Sequence, residues 1–329
     1  MILIQRPRRA NCRGLTLLEL LLTMGLLGLL LGTGVGVFAS LDLSAERSPT
    51  VVRSVLASAR SRASDEGQAV HVLVENEGQE LVLHAPRIVA SYSFESGARG
   101  PRGRAPELDG ARRVDDGYLG SGLAFSGGGI DAKVRIDLGQ DGRFDLRDGF
   151  ALRMRVRADD TTGGALLDLG GVVRLEARDG GKLVASVVPN ELNRIDLESP
   201  FGALGFGSWV EIGLTYDRVR LSITVDGFPV ARMPLTDPLG EPKRELTLGG
   251  RPRPFPGLMD ELVLWIYERQ QAVALPEERR WPADAPTRIG FDRDGSLDPI
   301  AHPEGLELVF QVEGRDADVI TVSRYGVVR

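Results

Sequence analysis

Few side chains in this 329-residue sequence are grouped in ways that chemistry needs. Two carboxylate groupings stand out, Asp260-Glu261 and Asp292-x-Asp294-Gly295-x-x-Asp298. Hydrolysis of a sugar bond requires two carboxylates facing one bond, usually presented from alternating positions of one strand. Asp260 and Glu261 are adjacent, so on a strand they point to opposite faces, and Asp260 is expected to anchor a turn or loop by hydrogen bonds. The second grouping lacks the third acidic position before its glycine and the closing bidentate Glu of a calcium loop, so a hairpin-type turn is expected there. His71, His84 and His302 have no partner close in sequence, and the one cysteine, Cys12, excludes an intramolecular disulfide and a Cys-rich zinc site. No catalytic residue and no enzyme activity are expected from these residues.

The remaining acid of interest is Glu19, the one ionisable side chain between Leu15 and Ala39. As a helix those residues reach roughly 38 Å, enough to cross a hydrocarbon core of about 30 Å. Arg6, Arg8, Arg9 and Arg13 precede them with no acid, which keeps the N-terminus cytoplasmic and sends the rest of the chain across. A cleaved secretory signal fits poorly: the apolar run is too long, contains a glutamate, and Val37-Phe38-Ala39 is a weak cleavage site. Cys12 lies ahead of the run, which removes a lipoprotein reading. A carboxylate in a membrane helix costs about 2–4 kcal/mol unless paired, which marks Glu19 as functional.

Arg13-Gly14-Leu15-Thr16-Leu17-Leu18-Glu19 resembles the class III signal of type IV pilins and pseudopilins. The resemblance implies cleavage by a prepilin peptidase between Gly14 and Leu15, N-methylation of Leu15, and Glu19 as the fifth mature residue. Most members of that family begin with Phe, from which Leu15 departs. In a filament, a carboxylate at the fifth position can meet the α-amine of a neighbouring subunit, which offsets its burial and sets the register. Gly28, Gly32 and Gly36 form a small-xxx-small row that would let helices approach closely.

Beyond the apolar run, residues 44–66 carry Val51, Val52, Val55, Leu56 and Ala59 at helical spacing, with Ser44 as a cap and Pro49 marking a kink or restart. Gly67 ends the helix, and strands follow at 70–74 and 81–83 across a Glu77-Gly78 turn. The run from Ser58 to Val70 resembles the GspH/FimT group of minor pseudopilins. In that group a further strand, a glycine turn and closing strands complete the sheet against the helix, as Thr287–Phe291, Leu306–Val312, Val319–Val322 and Gly326–Val328 would here.

About 180 residues interrupt that layout. Phe150, Leu152, Met154 and Val156 alternate with polar positions, as do Val210, Ile212, Leu214, Tyr216 and then Val219, Leu221, Ile223, Val225, with Asp226-Gly227 as a hairpin turn. Many short strands with Gly-rich turns argue for a sandwich. The fragments Tyr92-Ser93-Phe94-Glu95, Gly122–Gly127, Phe150–Val156, Trp209–Asp217, Val225–Val230, Leu246–Gly250 and Phe255–Leu262 resemble the LamG-like, concanavalin A-type jelly roll. That resemblance allows calcium at the sandwich rim, with Asp131 or Asp226 contributing, although nothing in their spacing selects them; no other cofactor is expected. The arginines at 99–113 are expected to be a solvated hairpin, with an acidic-glycan contact as the sharper alternative, and Trp209 and Trp265 are expected in the core.

The expected organisation is therefore a leader (1–14), a transmembrane helix (15–41), a split GspH/FimT-like head (42–87 and 270–329) and an inserted LamG-like domain (88–269). The fold class is an α+β pilin fold, a long N-terminal helix plus antiparallel sheet, carrying an all-β jelly-roll sandwich. Lys plus Arg is 40 against 46 acids, a net charge of −6, and loss of the leader would make it −10. That balance argues against non-specific nucleic-acid binding. The expected role is a minor pseudopilin of a type II secretion system or type IV pilus-like machine in the bacterial inner membrane. Its partners would be the prepilin peptidase, other pilin subunits and a glycan or secreted protein; a surface adhesin exported by the pilin route is the alternative.

Overall fold

The computed structural model describes residues 44–95, 105–125, 131–139, 144–189, 193–275, 281–310 and 318–329. Residues 1–51 and 52–329 form two compact units, and of the first only the helical residues 44–51 are described. Among the described residues no helix is long and apolar enough to cross a membrane; the expected span at 15–41 lies outside them.

Helix α1 (Ser44–Glu66) is one element containing Pro49, so no restart occurs there. Near a helix N-terminus a proline removes a single i→i−4 bond, a loss the packed face further along can outweigh. That face consists of Val52, Val55, Leu56, Ala59 and Ala63, each at most 5% exposed. Strands then follow: β1 (Val70–Glu75), β2 (Glu80–Tyr92), β3 (Glu107–Asp109), β4 (Arg112–Val114), β5 (Gly122–Ala124) and β6 (Lys133–Asp137). Next come β7 (Phe150–Ala158), β8 (Gly164–Leu169), β9 (Val173–Arg178), β10 (Lys182–Val187), β11 (Ile195–Glu198), β12 (Val210–Tyr216) and β13 (Arg220–Val225). The chain closes with β14 (Phe228–Pro234), β15 (Glu245–Gly249), β16 (Gly257–Ala274), β17 (Arg288–Phe291), β18 (Leu306–Phe310) and β19 (Asp318–Val322).

All strand pairs are antiparallel. The larger sheet runs β14-β13-β12-β7-β16-β2-β1-β17 with β4 and β5 attached to β16, and it faces a seven-stranded sheet, β11-β10-β9-β8-β15-β6-β3. Between the two lies a jelly-roll-like sandwich core in which Phe150, Leu152, Met154, Ile212 and Leu214 meet Leu167, Leu175, Leu183 and Leu246. The alternation read for β7 and β12 holds. Strand β13 begins at Arg220 rather than Val219, because the Asp217 carboxylate accepts the backbone N–H groups of Val219 (3.0 Å) and Arg220 (2.8 Å) and holds them in a turn. Asp226 and Gly227 both have positive φ, the conformation a two-residue hairpin between β13 and β14 requires.

The expected domain limits at 88 and 269 fall inside single strands. β2 pairs with β16 from Tyr92–Leu262 through to Glu80–Ala274, with two bulges. One half of β2 buries Val89, Ala90 and Tyr92 in the sandwich core, and the other half buries Leu81, Val82 and Leu83 beside β1 and β17. The expected closing strands divide. β17 joins the large sheet, whereas β18 and β19 form a separate two-stranded sheet. α1 packs on the turn at Gly295 and on the C-terminal segment, where a Cβ on Gly326 would strike the Gly295 carbonyl and Arg53 donates to the Val319 carbonyl at 3.2 Å.

All three histidines are buried in this part of the molecule. His71 and His84 face each other across β1 and β2, and the His71 ring lies 5.4 Å from that of Tyr267. Both His71 ring nitrogens and one each of His84 and His302 have no hydrogen-bond partner in the protein. Burial lowers the pKa of all three imidazoles, His71 most of all, with Arg288 adding to its shift. The unfolded chain therefore takes up protons first as the pH drops below about 6.5, so the stability present above that pH is lost progressively beneath it. Replacing His71 with Phe should remove part of that loss. The melting temperature of the variant should rise relative to the parent between pH 7.5 and 5.5, and a constant difference would show that the imidazole is solvated.

Candidate functional site

The outward face of β7, β12, β13 and β14 forms the floor of a groove of about 300 Å³. Strand register places Arg153, Gly213, Thr224 and Pro229 in one row and Ala151, Thr215, Ser222 and Arg232 in the next. The walls are Gly67–Ala69 after α1, Tyr267 of β16, and the segment from Asp292 to Ile300 after β17. A Cβ on Gly213 would collide with the Thr224 hydroxyl, so glycine is what leaves room for that side chain on the floor.

One arginine organises the end of the groove. Arg220 lies 2.9 Å from Asp298, 3.7 Å from Asp217 and 3.7 Å from Asp292, and Arg288 of β17 lies 3.6 Å from Asp217. Burial alone would lower the pKa of Arg220, but the carboxylates of Asp298 and Asp217 raise it. Burial lowers that of Arg288, against the pull of Asp217. Asp292 is pushed up to about 6, first by burial and then by the neighbouring Asp298. The grouping read as a hairpin turn is one, with the Gly295 N–H donating to the Asp292 carbonyl at 2.8 Å. Its carboxylates serve different partners: Asp294 accepts from the Ser296 N–H at 2.9 Å and Asp298 holds Arg220.

A second buried acid does structural work. Asp260 is fully buried and accepts the N–H groups of Tyr118 (2.9 Å), Leu119 (3.2 Å) and Glu261 (2.8 Å), tying the loop after β4 to β16. Burial raises its pKa to about 6 against those three donors. Asp260 and Glu261 do not simply alternate across a flat strand: the register shifts after Asp260, and Glu261 has φ of 49°. Beside them the Arg153, Arg155 and Arg157 guanidiniums lie 5.2, 4.4 and 5.6 Å from the rings of Trp265, Tyr118 and Trp209. Trp265 is buried, whereas Trp209 is only half-buried, at the sheet surface.

Other expectations have definite places. Asp131 pairs with Arg251 at 2.8 Å, and Asp226 accepts the Glu211 N–H at 2.8 Å. Among the described residues no group of three or more His, Cys, Asp or Glu side chains could hold a metal ion. Arg112 and Arg113 are exposed on β4, while Arg99, Arg102 and Arg104 lie outside the described residues. So do Gly14, Leu15, Glu19, Gly28, Gly32 and Gly36. The groove was not anticipated, although Thr215, Ser222 and Thr224 were visible as the polar positions between the apolar ones of β12 and β13.

Residues 9–35 match the family model of the prokaryotic N-terminal methylation motif. The chain therefore carries a prepilin-type N-terminus. No curated protein matches the sequence. Among solved structures, the binding domain of Paraclostridial Mosquitocidal Protein 1 is similar at a TM-score of 0.44 and 14% identity, over 56% of this chain and 49% of that one. The chain thus spans about half the length of that domain. Domain 4 of AbnA, a GH43 extracellular arabinanase from Geobacillus stearothermophilus, is similar at 0.44 and 17% identity, over 58% and 95% of the two chains. Domains LG4-5 of the mouse laminin alpha1 chain are similar at 0.33 and 17% identity, over 49% and 50%.

Removing one partner from a buried ion network leaves the others uncompensated, at a cost on the order of 3 kcal/mol. Arg220→Met should destabilise the protein by about that much in a denaturant titration. Loss below about 0.5 kcal/mol would show that water already satisfies Asp217 and Asp298.

Proposed function

We propose that the chain is a minor pilin-like subunit, of the GspH/FimT pseudopilin type, serving a type II secretion or type IV pilus-like machine. The observation that carries this reading is the match of residues 9–35 to the N-terminal methylation motif, a span that includes Gly14, Leu15 and Glu19. A prepilin peptidase cuts after Gly14 and methylates Leu15. The segment from Leu15 anchors the chain in the inner membrane with its start cytoplasmic, and Glu19 pairs with the α-amine of a neighbouring subunit. The head then presents a LamG-like sandwich as a non-enzymatic binding module.

Shared strands support a module that moves with the subunit instead of on a tether: β2 and β16 enter both parts, and no linker separates them among the described residues. Loading on the sandwich would pass through main-chain pairing to the segment leading to α1. An adhesin that uses the pilin route for delivery has the same N-terminus and differs in where the mature protein is found.

N-terminal sequencing of the mature protein should begin at Leu15, bearing one added methyl group. Glu19→Ala should enter the membrane normally and fail to co-purify with assembled pilin subunits. A mature start near Ser40, or normal incorporation of the variant, would overturn the reading.

A further inference from the structure

The charges that line the groove on β7, β12, β13 and β14 are not equally occupied. Each of its carboxylates has a partner within the protein: Glu211 lies 3.1 Å from Arg155, Asp217 and Asp292 face Arg220, and Asp294 binds its own turn. Arg232 and Arg293 also line it and both are exposed; their guanidiniums feel Asp292 and Asp294 through space, but among the described residues neither side chain forms a salt bridge or hydrogen bond. Arg293 reaches from the turn after β17 to lie over Gly227, where any Cβ would meet its guanidinium. Between the arginines the floor carries the Thr215, Ser222 and Thr224 side chains, whose hydroxyls have no hydrogen bond among the described residues.

We propose that this groove binds an acidic sugar chain, with Arg232 and Arg293 on its carboxylates and the Thr215, Ser222 and Thr224 hydroxyls on its ring hydroxyls. Two guanidiniums with their hydrogen-bond donors uncommitted to other side chains favour an anion, because charge-assisted bonds to carboxylates are the strongest contacts the groove has to offer. The row of hydroxyls, each both donor and acceptor, suits a ligand rich in hydroxyls. The volume is at the lower end of ligand pockets, which span about 300–1,000 Å³.

An acidic peptide fits less well. Extended peptides bind by adding a strand to a free sheet edge, but this floor lies on the face of four strands already paired with one another. The edge strand β14 is itself blunted by Pro229 and Pro234, which cannot donate main-chain hydrogen bonds. Part of the groove wall comes from the segment after β17, so the site belongs to the joined head and sandwich and not to the sandwich alone.

This assignment deepens the reading of the chain as a displayed binding subunit by naming the ligand class. It is tested on the full chain in detergent micelles with tetragalacturonate as probe, its fully methyl-esterified form as the neutral control and hexaglutamate as the peptide control. Tetragalacturonate should bind, and binding should weaken about tenfold or more on esterification and in the Arg232→Gln/Arg293→Gln variant. Thr224→Val should weaken it without altering its salt dependence. Both arginines are exposed, so the double variant should melt as the parent does. No binding by the parent, equal binding of the ester, an unaffected double variant, or hexaglutamate binding as tightly would each overturn the assignment. Mature N-terminal sequencing in the same preparations reports separately on processing at Gly14, so failure of the ligand assignment and failure of the pilin reading remain distinguishable.

Discussion

The pairing of β2 with β16 is the constraint that joins the two parts of residues 52–329. Two long antiparallel strands run from the sandwich into the β1-β17 ladder, so the larger sheet continues from one part into the other. Side chains reinforce the joint: Arg87 lies 2.6 Å from Glu268, and Arg269 lies 2.6 Å from Glu80 and 3.4 Å from Glu75. The bulges at Leu264/Trp265 and Arg269/Gln271 let such long strands coil without losing the pair. An inserted domain usually hangs on two chain crossings; here the crossings are the centre of a sheet.

That constraint fixes the site. Because β16 neighbours both β7 and β2, the outward faces of β7, β12 and β13 are carried beside the segment that follows β17. Arg220 of β13 then meets Asp298 and Asp292, and Arg288 of β17 meets Asp217. The network engages Asp217, Asp292 and Asp298 and leaves Arg232 and Arg293 on the groove without a side-chain salt bridge among the described residues. The buried histidines lie in the same region, which couples its integrity to proton uptake.

Much of the sandwich was legible in the sequence, since β7 and β12 alternate cleanly and Asp226-Gly227 marks its hairpin. The boundaries were not, and Pro86 shows why. The expected strand at 81–83 is only the start of β2, which runs through Pro86 to Tyr92. In the structure β1 pairs with β2 only as far as His84, so beyond that point β2 has a side on which no donor is needed. The role of Asp260 as a hydrogen-bond anchor was readable, because next to Glu261 on a strand it cannot form a facing carboxylate pair, which leaves hydrogen bonding as its use. The partnership of Arg220 with Asp298, 78 residues away, was not, since periodicity carries no information on which charges a sheet brings together. The N-terminal signal is read from sequence alone, by spacing and by the motif match at 9–35.

The central claim, that head and sandwich are one cooperative body, is most directly tested with the three tryptophans. Trp209 reports on the sandwich, Trp265 on the shared strand, and Trp281, 6.0 Å from Phe310, on the region around β18. In single-tryptophan versions of the full chain, the fluorescence of Trp209 and Trp281 should change at the same denaturant midpoint with the same slope. Loss of the Trp281 signal at a lower midpoint than that of Trp209 would contradict the account, showing two bodies joined by strands that do not transmit stability.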